Sequence, residues 1–201
     1  MHSLKIMMSK KLIFWVILTS ILIVLGITFN QQIPKRELPI LGSVSDFKLY
    51  DTNGEIFSFK DLQGKVWIAD FIFTTCGSVC PMMTKNMAAL HRSFALVNQV
   101  EMVSISVNPE NDTPEVLSQF AQRYHADTKK WHFLTGDRGE ITRVSVEIFK
   151  VGSVDQPVFH SDRIILVDQG GRIRGYYQGT NPREINALFR DMNLILNERA
   201  S

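Results

Sequence analysis

Cysteine is nearly absent: the 201 residues hold two, at positions 76 and 80. With one pair at most, the chain is no disulfide-stapled scaffold, since such scaffolds are short and dense in thiols. An excess of charge is missing as well. The 22 basic and 20 acidic side chains leave a formal net charge of +2. Lys and Arg are scattered, and no stripe of them is interleaved with aromatic residues, so nothing marks a nucleic-acid-binding face. There are no internal repeats and no low-complexity tracts. The balance, 45% apolar and 21% charged, is that of an ordinary globular protein.

What the chain does have is one long hydrophobic run. "LIFWVILTSILIVLGITF", residues 12–29, carries no charge and follows Lys5, Lys10 and Lys11. A helix crossing the hydrocarbon core needs about 20 residues, and about 17 is tolerated. A cleaved signal peptide has a shorter apolar region, roughly 7–15 residues, ending in a small-x-small site. This run exits through Gly26-Ile27-Thr28-Phe29-Asn30, with no Ala-x-Ala and no cysteine for a lipid. The pattern predicts an uncleaved transmembrane anchor at 12–29 behind a cytoplasmic tail at 1–11. Three lysines before the run, against Lys35 and Arg36 after it, favour an inside tail and an outside domain. The tail is too short and too poor in arginine for a mitochondrial transit peptide. The expected location is therefore a plasma (inner) membrane, single-pass, with the soluble domain on the oxidising extracytoplasmic side. In that compartment a cysteine pair can become a disulfide.

Residues 30–41, with Pro34 and Pro39 and no periodicity, read as a linker. Residues 42–201 have the size of one domain with one core. "DFKLYD" and "EIFSF" flank Asp51-Thr52-Asn53-Gly54, a hairpin signal. "KVWIADFIFT" (65–74) is a continuous apolar run, as in a strand buried on both faces. Over 81–97, Met83, Met87, Leu90, Phe94 and Val97 recur at helical spacing, with Pro81 near the first turn. "EMVSISVN" predicts another buried strand, and Thr113-Pro114-Glu115 the capped start of a helix. "WHFLTG" predicts a short strand, 139–149 a helix, and "RIILVD" with "RIRGYYQG" a hairpin across Gly170-Gly171. Asn181-Pro182 opens a last helix through about residue 199. The order β-β-β-α-β-α-β-α-β-β-α predicts a layered α/β sheet.

Both cysteines fall in "FIFTTCGSVCPMM", between a buried strand and a helix. A staple is a poor account of them, because a bridge closing so short a loop stabilises by only about 2 kcal/mol. The position is one where ligands and reactive groups of open α/β sheets gather. A helix N-terminus also favours the thiolate, which is both nucleophile and metal ligand. Two uses remain open. In a helical turn, residues at i and i+4 would have Cα atoms about 6 Å apart along the axis, close enough for a disulfide. Two sulfurs on one face could equally hold a soft ion such as Cu(I) or zinc, given a further donor. Zinc favours a fourth ligand that the sequence does not offer. A peroxidase reading lacks its Thr-x-x-Cys context, since Thr74 and Thr75 sit too close to Cys76.

Of the five histidines, His2 precedes the apolar run. His91, His125 and His132 read as solvated surface residues. His160, in "DQPVFHSDRIILVD" just before a strand, is either a ligand or an exposed loop residue. Met82 and Met83 lie beside the cysteines and read as packing residues rather than auxiliary metal contacts.

"FIFTTCGSVCPMMTKNM", "SVNPENDTPEVLSQFAQRY", "WHFLTG" and "VFHSDRIILVDQGGRIRGYYQG" resemble, in order and spacing, the signature blocks of the Sco/SenC proteins. That family comprises membrane-anchored, thioredoxin-fold copper proteins that help assemble the binuclear copper centre of cytochrome c oxidase. The resemblance covers the domain from about residue 42. It implies a thioredoxin-like fold, with a central mixed sheet flanked by helices and an extra N-terminal hairpin. It also implies copper ligands at Cys76, Cys80 and His160, and Cu(I) as the bound state, with Cu(II) as a second. The implied role is a non-catalytic metallochaperone, its partner the copper-binding subunit of cytochrome c oxidase and its copper donor unspecified. A thiol–disulfide reductase working on the oxidase cysteines through Cys76 and Cys80 is the alternative. This chain departs from the family where many members carry acids: Gly77 and Ser78 lie between the cysteines, and Phe159 precedes the histidine. Lost carboxylates of that kind alter affinity or partner contacts while leaving the ligands in place. "NPENDTPE" also matches a family block, and its physical reading is a turn and a helix cap.

Overall fold

The structure, a computed structural model, describes residues 10–31, 36–152 and 161–198. It divides into two compact units, Met1–Glu37 and Leu38–Ser201. The first contains helix α1 (Lys10–Gln31). Four consecutive apolar side chains, Phe14, Trp15, Val16 and Ile17, are all exposed, so within 13–24 apolar groups spread around the helix. Its hydroxyls turn back onto the helix: Thr19 Oγ1 donates to the Trp15 carbonyl at 2.9 Å and Ser20 Oγ to that of Val16 at 2.8 Å. The stretch 13–24, over which the side chains of α1 are described, spans about 18 Å at 1.5 Å per residue. Among the described residues no helix is long and apolar enough to cross a membrane.

The second unit contains β1 (Gly42–Ser43), β2 (Lys48–Tyr50), β3 (Ile56–Ser58), β4 (Val66–Ile72), α2 (Val79–Phe94) and β5 (Val100–Ser106). It continues with α3 (Pro114–Arg123), β6 (Trp131–Leu134), α4 (Arg138–Thr142), β7 (Arg163–Val167), β8 (Arg172–Gln178) and α5 (Pro182–Leu196). Six strands form one sheet in the order β1-β8-β7-β4-β5-β6, and β2 pairs with β3 in a separate hairpin. The sheet is mixed. β4, β5 and β6 run parallel, while β7 lies antiparallel to β4. The expected element order holds, hairpin included. Gly54, at φ +77, supplies the left-handed residue of the hairpin turn.

All seven residues of β4 are buried, as its unbroken apolar run predicts. Alternation splits them between two cores. Val66, Ile68 and Ile72 join side chains of α2, α3 and α5 on one face. Trp67, Ala69 and Phe71 face the hairpin and the α4 region on the other. Several details differ from the sequence expectation. The two-residue β1 is too short to leave a pattern. Helix α4 passes into a π-helical turn at Arg143–Ile148 instead of running on as one α-helix. α5 stops at Leu196. Most important for the site, α2 begins at Val79, two residues before Pro81.

Candidate metal centre at the end of β4

β4 stops at Ile72 because the next residues must turn toward α2. The Cys76 N–H donates back to the Phe73 carbonyl at 3.2 Å, closing that turn. Cys76 therefore lies in the loop, and Cys80 in the first turn of α2, where the free backbone N–H groups of a helix gather. The two thiols do not share one helical turn, so the i, i+4 helical geometry does not apply. They nonetheless converge. Both are free, both are buried, and both line one cavity of about 380 Å³.

Their surroundings make them unequal. Burial opposes ionisation of Cys76, but the backbone N–H groups of Cys80 and Ser78, with the side chains of the same residues, outweigh it and bring its thiol down to about 6. Ser78 Oγ stands 3.8 Å from Cys76 Sγ. Cys80 moves the other way. Burial first, then the neighbouring Cys76 and Asp70, push its thiol up to about 12. Asp70 belongs to β4 and is wholly buried. Burial raises its carboxyl to about 7, although Ser104 Oγ donates to Oδ1 at 2.5 Å.

A second buried carboxylate holds the loop from the other side. Asp112, fully buried, accepts from the Thr74 N–H at 3.0 Å, from Thr74 Oγ1 at 2.5 Å and from Ser106 Oγ at 2.6 Å. Thr74 lies two residues before Cys76, so this carboxylate ties the cysteine loop to the β5–α3 connection. The expected helix cap is also present: Thr113 Oγ1 accepts from the Val116 N–H. The cap is legible in "NPENDTPE", and the tether is not. An aspartate next to a capping threonine carries no signal of where its own side chain points.

Other sequence expectations fare unevenly. Met83 is completely buried, as a packing residue should be, whereas Met82 is 53% exposed and packs no core. His91 is buried rather than solvated, its ring 5.6 Å from that of Trp131. His132 is half-buried, paired with Glu101 at 3.2 Å and stacked near Phe57. His125 is exposed as expected. His160 and Phe159 lie outside the described residues. Gly77 has open space where a side chain would project. Among the described residues no group of three or more His, Cys, Asp or Glu side chains could hold a metal ion. Two soft sulfurs on one cavity, one with a readily formed thiolate, fit a thiophilic ion that takes a further donor from elsewhere.

The SCO1/SenC family profile matches residues 41–193. The SCO1 protein homolog of Bacillus subtilis is 34% identical over 161 residues, covering 77% of this chain and 83% of its own length. BsSco is a member of the Sco family of cytochrome c oxidase assembly proteins in which a disulfide switch was identified. It superposes with a TM-score of 0.69 at 32% identity, covering 81% of this chain and 99% of the other. Arabidopsis thaliana ScoI with copper bound superposes with a TM-score of 0.65 at 26% identity, covering 78% and 100%. The sheet order and the strand-to-helix cysteine loop thus sit on a Sco-type, thioredoxin-like frame. The match takes in the whole sheet and both cysteines, and the chain belongs to the SCO1/SenC family.

Proposed function

We propose that this chain is a membrane-anchored copper metallochaperone. Cys76 and Cys80 bind Cu(I) as thiolates, His160 supplies the third donor, and the cargo passes to the copper-binding subunit of cytochrome c oxidase. The observation that carries this reading is the convergence of two free, buried thiols on one cavity, in a chain whose family includes copper-bound members. Two thiolates and an imidazole are soft enough to hold Cu(I). A three-donor site is also open enough to release the ion by ligand exchange. Residues 12–29 anchor the protein in the plasma (inner) membrane, with the domain on the extracytoplasmic side. Support comes from residues 13–24 of α1, where apolar side chains spread around the helix and the hydroxyls bond to its own backbone, as a helix in lipid requires. Holding donor and acceptor on one membrane raises their effective concentration.

A second reading is favoured by the inequality of the thiols. A low-pKa cysteine beside a high-pKa one suits a nucleophile and its resolving partner, so reduction of the oxidase cysteines is the alternative. Complementation separates the two. In cells lacking the protein, the metallochaperone reading expects Cys76→Ser, Cys80→Ser and His160→Ala all to abolish oxidase assembly. If His160→Ala restores assembly fully, the reductase reading takes its place.

A further inference from the structure

The cavity on which the cysteines converge has a second wall. That wall is the last turn of α3 and the residue that caps it, with Phe120, Arg123 and Tyr124 facing Cys76 and Cys80 across about 380 Å³. Positions i, i+3 and i+4 share one helix face. The rings of Phe120 and Tyr124 lie 5.0 Å apart, tilted by 45°, and the Arg123 guanidinium carbon sits 5.1 Å from the centre of the Phe120 ring. That ring holds the cation at the wall by its negative face. Among the described residues no carboxylate pairs with Arg123. Phe120 is almost wholly buried, so the anchor beneath the guanidinium is part of the core.

We propose that this cavity is a docking subsite for an acidic, thiol-bearing segment of the acceptor protein, with Arg123 selecting the charge of what enters. The proposal rests on the reading of the cysteine pair as the point of exchange with a partner, and it names the chemistry of that partner. Cys76 and Cys80 are 8% and 4% exposed, so an incoming sulfur must enter the cavity to reach them. A segment narrow enough to enter passes between the thiols and the α3 wall. Sheet order places α3, which links β5 to β6, on one flank of β4, while β7 lies on the other. The α3 wall is therefore on the side away from the strand that follows position 160. The guanidinium held at that wall favours a segment whose own carboxylate reaches the cation.

Small disulfides that differ in charge test this without copper. The full reduced chain in a non-ionic detergent would be mixed with 3,3′-dithiodipropionate, bis(2-hydroxyethyl) disulfide or cystamine, which are anionic, neutral and cationic. In each reaction the Cys76 thiolate attacks one probe sulfur, and the probe S–S bond breaks. The other half leaves as a thiolate with the bonding electron pair, and a mixed disulfide remains on Cys76. Each rate is divided by that of 2-mercaptoethanol with the same probe, so intrinsic probe reactivity cancels. The expected result is a preference of about tenfold for the anionic over the cationic probe, shrinking with added salt. Arg123→Gln should abolish the preference and Arg123→Glu should invert it, both with an unchanged circular dichroism spectrum. A parent with no anionic preference, or an Arg123→Gln variant that keeps it, overturns the proposal. The Cu(I) stoichiometry of the parent, measured on the same preparation, reports on the copper reading separately.

Discussion

Cys76 and Cys80 are four residues apart and chemically unlike, because backbone N–H groups favour the thiolate at one and burial opposes it at the other. Ultraviolet titration of the apo thiols should show one ionising near pH 6 and the other near pH 12. Gly77 offers a direct handle on the first. Its open space accepts a side chain, so Gly77→Asp should fold with a stability change within about 0.5 kcal/mol. The added negative charge should raise the Cys76 thiol pKa, because a like charge disfavours the thiolate. Asp112 acts at the same scale through hydrogen bonds. Asp112→Ala removes the acceptor of Thr74 and Ser106 and should cost about 3 kcal/mol in urea denaturation. It should also expose the cysteine loop to faster alkylation. The cysteines were legible in the sequence as a reactive pair, since their rarity and their place after an apolar run are local facts. Asp112 was not, because its partner lies 38 positions earlier in the chain.

At the scale of elements, the periodic positions of α2 read correctly as core, while one polar position did not. His91 was expected at the surface from its neighbours alone. The packing of α2 over β6 instead presses its ring against Trp131, and its Nε2 has no partner among the described residues. Burial lowers its pKa, with Lys130 and Arg92 acting in the same direction and Asp127 against them. A lowered folded pKa means that the unfolded chain binds the proton first as pH falls. The contribution of His91 is therefore fully present above the unfolded value of about 6.5 and is lost as pH drops through it. Asp70 has the opposite sign. With its folded pKa raised to about 7, its contribution is present below the unfolded carboxylate range and is lost as pH rises through about 7. The difference in unfolding free energy between the parent and His91→Phe isolates the histidine, since Asp70 is common to both. That difference should move in favour of the variant as pH falls from 7 to 5. A flat difference would place His91 in water.

Across the whole molecule, the alternation of strands and helices was legible because β4 and β5 are buried on both faces and helix α2 on one. The clamp at the entrance to the domain was not. Arg174 reads as the polar position of an alternating strand, yet it is buried. It donates to the Leu38 and Pro39 carbonyls and pairs with Asp168 and Glu198. It fixes the point where the chain enters the domain, and removing it should cost several kcal/mol by leaving buried acceptors and carboxylates without their cation. The proposed anchor makes a prediction at the same scale. The full chain should sediment with membranes and resist alkaline carbonate, whereas a chain starting at residue 36 should stay in the supernatant. Release of the full chain by carbonate would contradict the anchor.

The central claim is the three-donor copper site, and an anaerobic Cu(I) titration tests it most directly. The reduced full chain would compete with a chromophoric chelator, alongside His160→Ala. The account predicts tight one-to-one binding by the parent and markedly weaker binding by the variant. Binding no tighter than that of a flexible dithiol, or equal binding by the variant, would contradict it and leave the pair as a thiol redox switch.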